Sequence, residues 1–134
     1  VSTKGLIALR VMMELARQEP GAVVSLDQIA QRQEISKKYL ELILKALVQK
    51  GLLKGQRGKG GGYQLTRRPE EYPIGEILEL TEGTLAIVSC LQEGSPPCAR
   101  REVCDTYPMW SRFDQMVHDF FYGMTLANLM GEKR

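Results

Sequence analysis

Apolar residues recur at helical spacing through most of this chain and switch once to a strand-like pattern. Residues 2–17, STKGLIALRVMMELAR, place Leu6, Leu9, Met13 and Ala16 on one face of a helix. Pro20-Gly21 ends it, because proline cannot continue the hydrogen-bond ladder and glycine supplies turn conformations. Val23-Val24 is a short β-prone pair. Ser25 then precedes LDQIAQRQ, with Gln28 three residues on, which is the capping-box pattern of a second helix reaching about Gln33. Ser36 caps a third helix, KKYLELILKALVQK, and Gly51 follows its end, where glycine is favoured. Its buried stripe is Leu40, Ile43, Leu44 and Leu47. Lys38, Glu41 and Lys45 share the opposite face, with Lys37 and Tyr39 near the N-terminal end.

The strand pattern comes next. Leu52-Leu53-Lys54-Gly55 and Gly62-Tyr63-Gln64-Leu65-Thr66 flank Gln56-Arg57-Gly58-Lys59-Gly60-Gly61, giving a β-hairpin with a basic, glycine-rich tip. Two helices joined by a tight turn and followed by such a hairpin make a winged helix-turn-helix, in which the second helix of the pair enters the major groove. The glycines, Gly60 among them, let the backbone approach phosphates, while Arg57 and Lys59 lie along a groove. A nucleotide-binding loop is excluded, since neither a P-loop nor a GxGxxG context is present. Residues 69–73 form a linker, and Ile74, Ile77 and Leu78 give the next short helix an apolar side that packs on the winged domain.

A long helix begins near Thr106, with Pro108 in its first turn, and runs through Tyr122 to Gly123. Its stripe of Met109, Trp110, Phe113, Met116, Val117, Phe120, Phe121 and Met124 is wider than a small winged domain can cover. Part of it is expected on the first helix. Large apolar patches do not stay exposed, so Trp110, Phe113, Met116, Val117, Phe120, Phe121 and Met124 are expected to pair with a second copy. Such a pair sets two recognition helices about 34–36 Å apart. Thr125–Met130 makes a final helical turn.

The fold class is therefore mainly α with a small β-hairpin. The expected domains are a winged helix-turn-helix over residues 1–68, a linker and short helix over 69–89, a cysteine loop over 90–104, and a dimerisation helix with its terminal turn over 105–130. Charge supports the division. Through Arg68 there are 13 Lys and Arg against 5 Asp and Glu, or +8; from Pro69 onward 5 against 11 give −6, summing to the net +2. A basic first half is the footprint of a DNA-binding surface. No apolar run approaches the roughly 20 residues of a membrane span. The N-terminus carries no basic-then-apolar signal pattern, which places the protein in the cytoplasm. A start at Val1 implies that a residue or two precede it.

Three cysteines, Cys90, Cys98 and Cys104, stand with seven and then five residues between them and are the only ones in 134 residues. An odd count argues against a closed disulfide framework. Thiolates are the ligands iron–sulfur clusters prefer, normally four to a cluster. Zinc is a rival, although its structural sites usually step by about two to four residues between cysteines. Thiol redox sensing is a third reading, with Arg100 and Arg101 able to lower the pKa of Cys98 or Cys104.

Taken together, STKG, ISKKYLELILKAL, RGKGGGYQL, IGEIL and the triple cysteine followed by CDTYPMW resemble the IscR-like, or Rrf-type, family of winged-helix transcription regulators over residues 1–130. The resemblance implies a homodimer on palindromic promoter DNA, usually repressing. It also implies an iron–sulfur cluster, of the 2Fe–2S kind, held by Cys90, Cys98 and Cys104. It carries DNA contacts onto Ser36, Lys38, Tyr39, Glu41, Arg57 and Lys59. Glu41 can accept from cytosine N4 and gate between two sets of sites, or pair along the helix with Lys37 or Lys45.

The fourth ligand departs from the family. Where IscR-like members have a histidine, this chain has Tyr107. Where nitric-oxide-sensing members have an acidic residue near the N-terminus, it has Leu6. The one histidine, His118, stands about 20 Å along the last helix. Tyr107, Asp105, Glu102, a water or a small thiol remain as candidates. The functions implied are cluster biogenesis or redox, nitric-oxide or iron sensing. The alternatives are a cluster-free regulator answering a metabolite or partner protein, as in cysteine metabolism, and a winged-helix protein-interaction module. No catalytic constellation stands out, so an enzyme is not expected.

Overall fold

The structure, a computed structural model, describes residues 2–83, 85 and 105–131. Six helices and one hairpin make it up: α1 (Thr3–Ala16), α2 (Leu26–Gln33), α3 (Lys37–Gln49), β1 (Leu53–Gln56), β2 (Gly62–Leu65), a 3-10 turn (Pro69–Glu71), α4 (Ile74–Glu82), α5 (Tyr107–Tyr122) and α6 (Leu126–Gly131). The expected mainly helical class with a single hairpin is what forms.

Local chemistry sets the first boundaries. Ser2 caps α1 by accepting from the Gly5 amide. Ser25 accepts from the Gln28 amide while the Gln28 side chain accepts from the Ser25 amide, so the capping box of α2 is complete in both directions. Glu34 ends α2 in the left-handed region, at φ 56°. The chain turns there and restarts at Ser36, whose Oγ accepts from the Tyr39 amide. Leu40, Ile43, Leu44 and Leu47 then point inward, fully buried as their spacing predicts.

The first helix buries a different face from the one its spacing suggested. Ile7, Ala8, Val11, Met12, Leu15 and Ala16 are buried, Leu9 and Met13 pack at the margin, and Leu6 is 55% exposed. LIALRVMMELA is apolar almost all round, so several faces satisfy the same periodicity. The choice falls to tertiary contact: α1 lies against α4 and α6, and these select the buried side.

β1 and β2 pair antiparallel from Leu53↔Leu65 to Gln56↔Gly62, one residue later on the first strand than expected. Val24 exchanges two backbone hydrogen bonds with Tyr63, at 2.9 and 2.8 Å, and so ties the approach to α2 onto the hairpin. Gly62 makes this possible, because a Cβ there would sit 2.3 Å from the Val24 carbonyl oxygen.

The base of the hairpin is fixed to the C-terminal half by Tyr72, which has no exposed surface. Its hydroxyl donates to the Leu52 carbonyl at 2.7 Å and accepts from the amides of Thr66 and Arg67 at 2.9 and 3.1 Å. Its own carbonyl accepts from the Leu126 amide at 3.1 Å, and the Ile74 amide donates to Met124 at 2.8 Å. Arg67 adds a two-pronged ion pair to Glu76 at 2.8 and 2.9 Å. Ile74, Ile77 and Leu78 are buried in the same core, as expected of the short helix.

The last helices divide their contacts. α5 packs on α4, whereas part of its stripe was expected on α1, and it is α6 that lies on α1. Gly75 lets α5 come close: a Cβ on it would lie 2.3 Å from the Tyr122 ring. Tyr122 also donates to the Glu79 carboxylate and stacks on His118 with ring centres 4.5 Å apart. No described helix is long and apolar enough to cross a membrane.

Tyr72→Phe leaves the Thr66 and Arg67 amides short of a partner and the Leu52 carbonyl with the Thr66 hydroxyl alone, which should cost about 1–3 kcal/mol of stability, seen as a lower urea midpoint with an unchanged slope. Arg67 holds the Glu76 carboxyl below its usual range, mainly by hydrogen bonding and secondarily by charge. A depressed carboxylate contributes stability above its unfolded pKa and loses it as pH falls through the folded one. Glu76→Gln should therefore flatten the acid limb of a pH–stability curve, below about pH 4, and lower the plateau above it.

Candidate nucleic-acid interface

The outward face of α3 and the inner edge of the hairpin enclose an open groove of about 920 Å³. Helical spacing brings Lys38, Glu41 and Lys45 to one wall. Gln56 and Arg57 come to the other from the end of β1. All five are exposed, and among the described residues neither Lys38, Lys45 nor Arg57 has an acidic partner within salt-bridge distance. Three cations thus face one groove with one carboxylate between them. Such a surface suits a phosphate backbone with base edges beyond it.

The other expected contacts flank this groove. Ser36 is exposed at the start of α3, where its oxygen accepts the capping bond and its hydrogen is left for an outside acceptor. Lys37 pairs instead with Asp27 of α2, Nζ to Oδ1 at 2.7 Å. Hydrogen bonding and charge from Asp27, with a smaller contribution from Glu41, raise its pKa above the usual lysine value. Both partners are open to solvent, so the pair is weak. Tyr39 is half-buried against the core. Lys59 and Gly60 sit exposed at the hairpin tip, where Gly58 and Gly60 take φ of 91° and 80°. Glu41 forms no ion pair with Lys37 or Lys45.

Sequence reasoning passed over Leu42, Gln49, Gln56 and Tyr63, which also line the groove. Leu42 carried a signal. It stands four residues after Lys38 and three before Lys45, on the basic face, but a leucine in an apolar-rich helix is read as core.

A second surface lies on α5, none of whose residues is buried. Met109, Phe113, Met116 and Phe120 are 53, 44, 65 and 61% exposed. Trp110 and Val117 are half-covered, and Phe121 and Met124 lean on the chain's own core. Of the wide stripe foreseen from the sequence, Met109, Phe113, Met116 and Phe120 are left exposed.

Cys90, Cys98, Cys104 and Glu102 lie outside the described residues. Of the other candidate ligands, Asp105 is exposed and Tyr107 half-buried at the start of α5. Among the described residues no three His, Cys, Asp or Glu side chains gather as a metal site. The donor set fits an iron–sulfur cluster in kind, three thiols, and falls one ligand short in number.

A family model described as "Rrf2: Iron-dependent Transcriptional regulator" matches residues 1–132. A putative helix-turn-helix regulator, ORF2 of Azotobacter vinelandii, is 34% identical over 130 residues, covering 97% of this chain and 78% of its own. The solved structure of CymR, the global cysteine regulator of B. subtilis, is similar at 34% identity and a TM-score of 0.80, covering 100% of this chain and 98% of that one. The structure of T. potens IscR is similar at 30% identity and a TM-score of 0.74, covering 97% and 85%.

Proposed function

The chain belongs to the Rrf2 family of DNA-binding transcriptional regulators, and we propose that it works as a homodimeric repressor on palindromic promoter sites, controlled by an iron–sulfur cluster. Its relatives are regulators and not enzymes. The DNA-binding reading is carried by the groove, where Lys38, Glu41, Lys45 and Arg57 converge from α3 and the hairpin. In this reading α3 enters the major groove. Ser36, Lys37, Tyr39, Lys59 and Gly60 lie at its margins, and Glu41 selects cytosine by accepting from its N4 amino group. Dimerisation through Phe113, Met116 and Phe120 is supported by their exposure on a helix none of whose residues is fully buried.

The cluster reading rests on the three thiols. A 2Fe–2S cluster on Cys90, Cys98 and Cys104 would supply redox- and ligand-responsive chemistry between the DNA-binding half and α5. Its fourth position would fall to Tyr107, Asp105, Glu102 or a small ligand. A cytoplasmic setting fits free thiols. The second reading, a cluster-free regulator answering a metabolite or partner protein, is favoured by the likeness to a global cysteine regulator at a TM-score of 0.80.

Two measurements test these assignments. Arg57→Ala should weaken binding across DNA sequences and reduce the slope of log affinity against log salt by about one; equal affinity at every salt concentration rejects the hairpin contact. Protein isolated without air should absorb in the visible and carry iron and sulfide that Cys90→Ser removes. A colourless protein whose operator affinity changes with a sulfur metabolite would establish the second reading instead.

A further inference from the structure

The outward face of α3 carries one residue that the fold does not require. Leu42 is 60% exposed, while Leu40, Ile43, Leu44 and Leu47 of the same helix are fully buried. Among the described residues the other exposed large hydrophobics are Leu6 and four positions on α5. Leu42 is therefore the one such residue on the α3 groove. It lies between Lys38 and Lys45 and lines the groove with Glu41 and Arg57. A single exposed leucine is ordinary on a protein surface; what sets Leu42 apart is its place among the charged side chains of this groove.

The surroundings choose the occupant. Three cations without acidic partners frame Leu42, which fits a polyanion and not an apolar peptide. Double-stranded DNA offers one hydrocarbon group on its major-groove edges, the C5-methyl of thymine. We infer that Leu42 is a specificity-determining residue that selects thymine in the operator by packing against its C5-methyl group. The lysines and Arg57 hold the backbone, Glu41 reads a neighbouring base, and Leu42 supplies the apolar contact between them. This assignment rests on the groove being the DNA-binding surface.

The test separates the two. Sites are selected from a random duplex library by the whole chain, and each thymine is then replaced singly by deoxyuridine, which lacks only the methyl group. The wild-type chain should lose about fourfold in affinity at one thymine in each half of the site, the worth of one buried methyl group. Leu42→Ala, with unchanged circular dichroism because its side chain is exposed, should still bind but lose that dependence. A flat deoxyuridine scan with wild-type protein, or a scan that Leu42→Ala leaves unchanged, overturns the inference while the groove assignment stands. If Lys38→Ala and Arg57→Ala also bind like wild type at every salt concentration, the groove assignment fails and the inference with it.

Discussion

One buried phenol holds the two halves of this chain in a fixed relation. The Tyr72 hydroxyl closes the base of the hairpin by bonding Leu52, Thr66 and Arg67, and its backbone receives the Leu126 amide from the far end of the sequence. Burying a hydroxyl is costly unless every bond it can make is made. Here three are made, so the position admits little slack. The helix-turn-helix, the hairpin and the C-terminal helices meet within four residues, Tyr72 to Gly75. The proposed cluster loop lies between α4 and α5 in the chain, and both are anchored at this junction.

Most of the DNA-binding half was legible because its signals are local. The Ser25–Gln28 reciprocal cap, the Ser36 cap and the Leu40–Leu47 stripe are each set by residues within one or two turns, and each formed as the sequence indicated. The face of α1 was not legible, because a helix apolar on nearly every side takes its orientation from α4 and α6, which are distant in sequence. The packing of α5 on α4 was missed for the same reason. It depends on the absence of a side chain at Gly75, a negative feature that periodicity does not register.

The groove shows the same division. Lys38, Glu41 and Lys45 could be grouped from helical spacing, and Arg57 joined them through the hairpin. Lys37 could not be resolved, since its partner Asp27 belongs to another helix. Leu42 was hidden by its type: hydrophobicity ordinarily signals burial, and only the structure separates a leucine facing the core from one facing the groove.

Gly75 has an effect beyond packing. A single Cβ there would meet the Tyr122 ring at 2.3 Å, well inside the roughly 3 Å minimum of real contacts, so any other residue would displace the ring or the helix that carries it. If α5 pairs two copies as proposed, a shift of that helix would act as a lever arm about the two-fold axis. The 16 residues of α5 span about 24 Å, long enough to turn a displacement of an ångström at one end into a changed distance between the two reading heads.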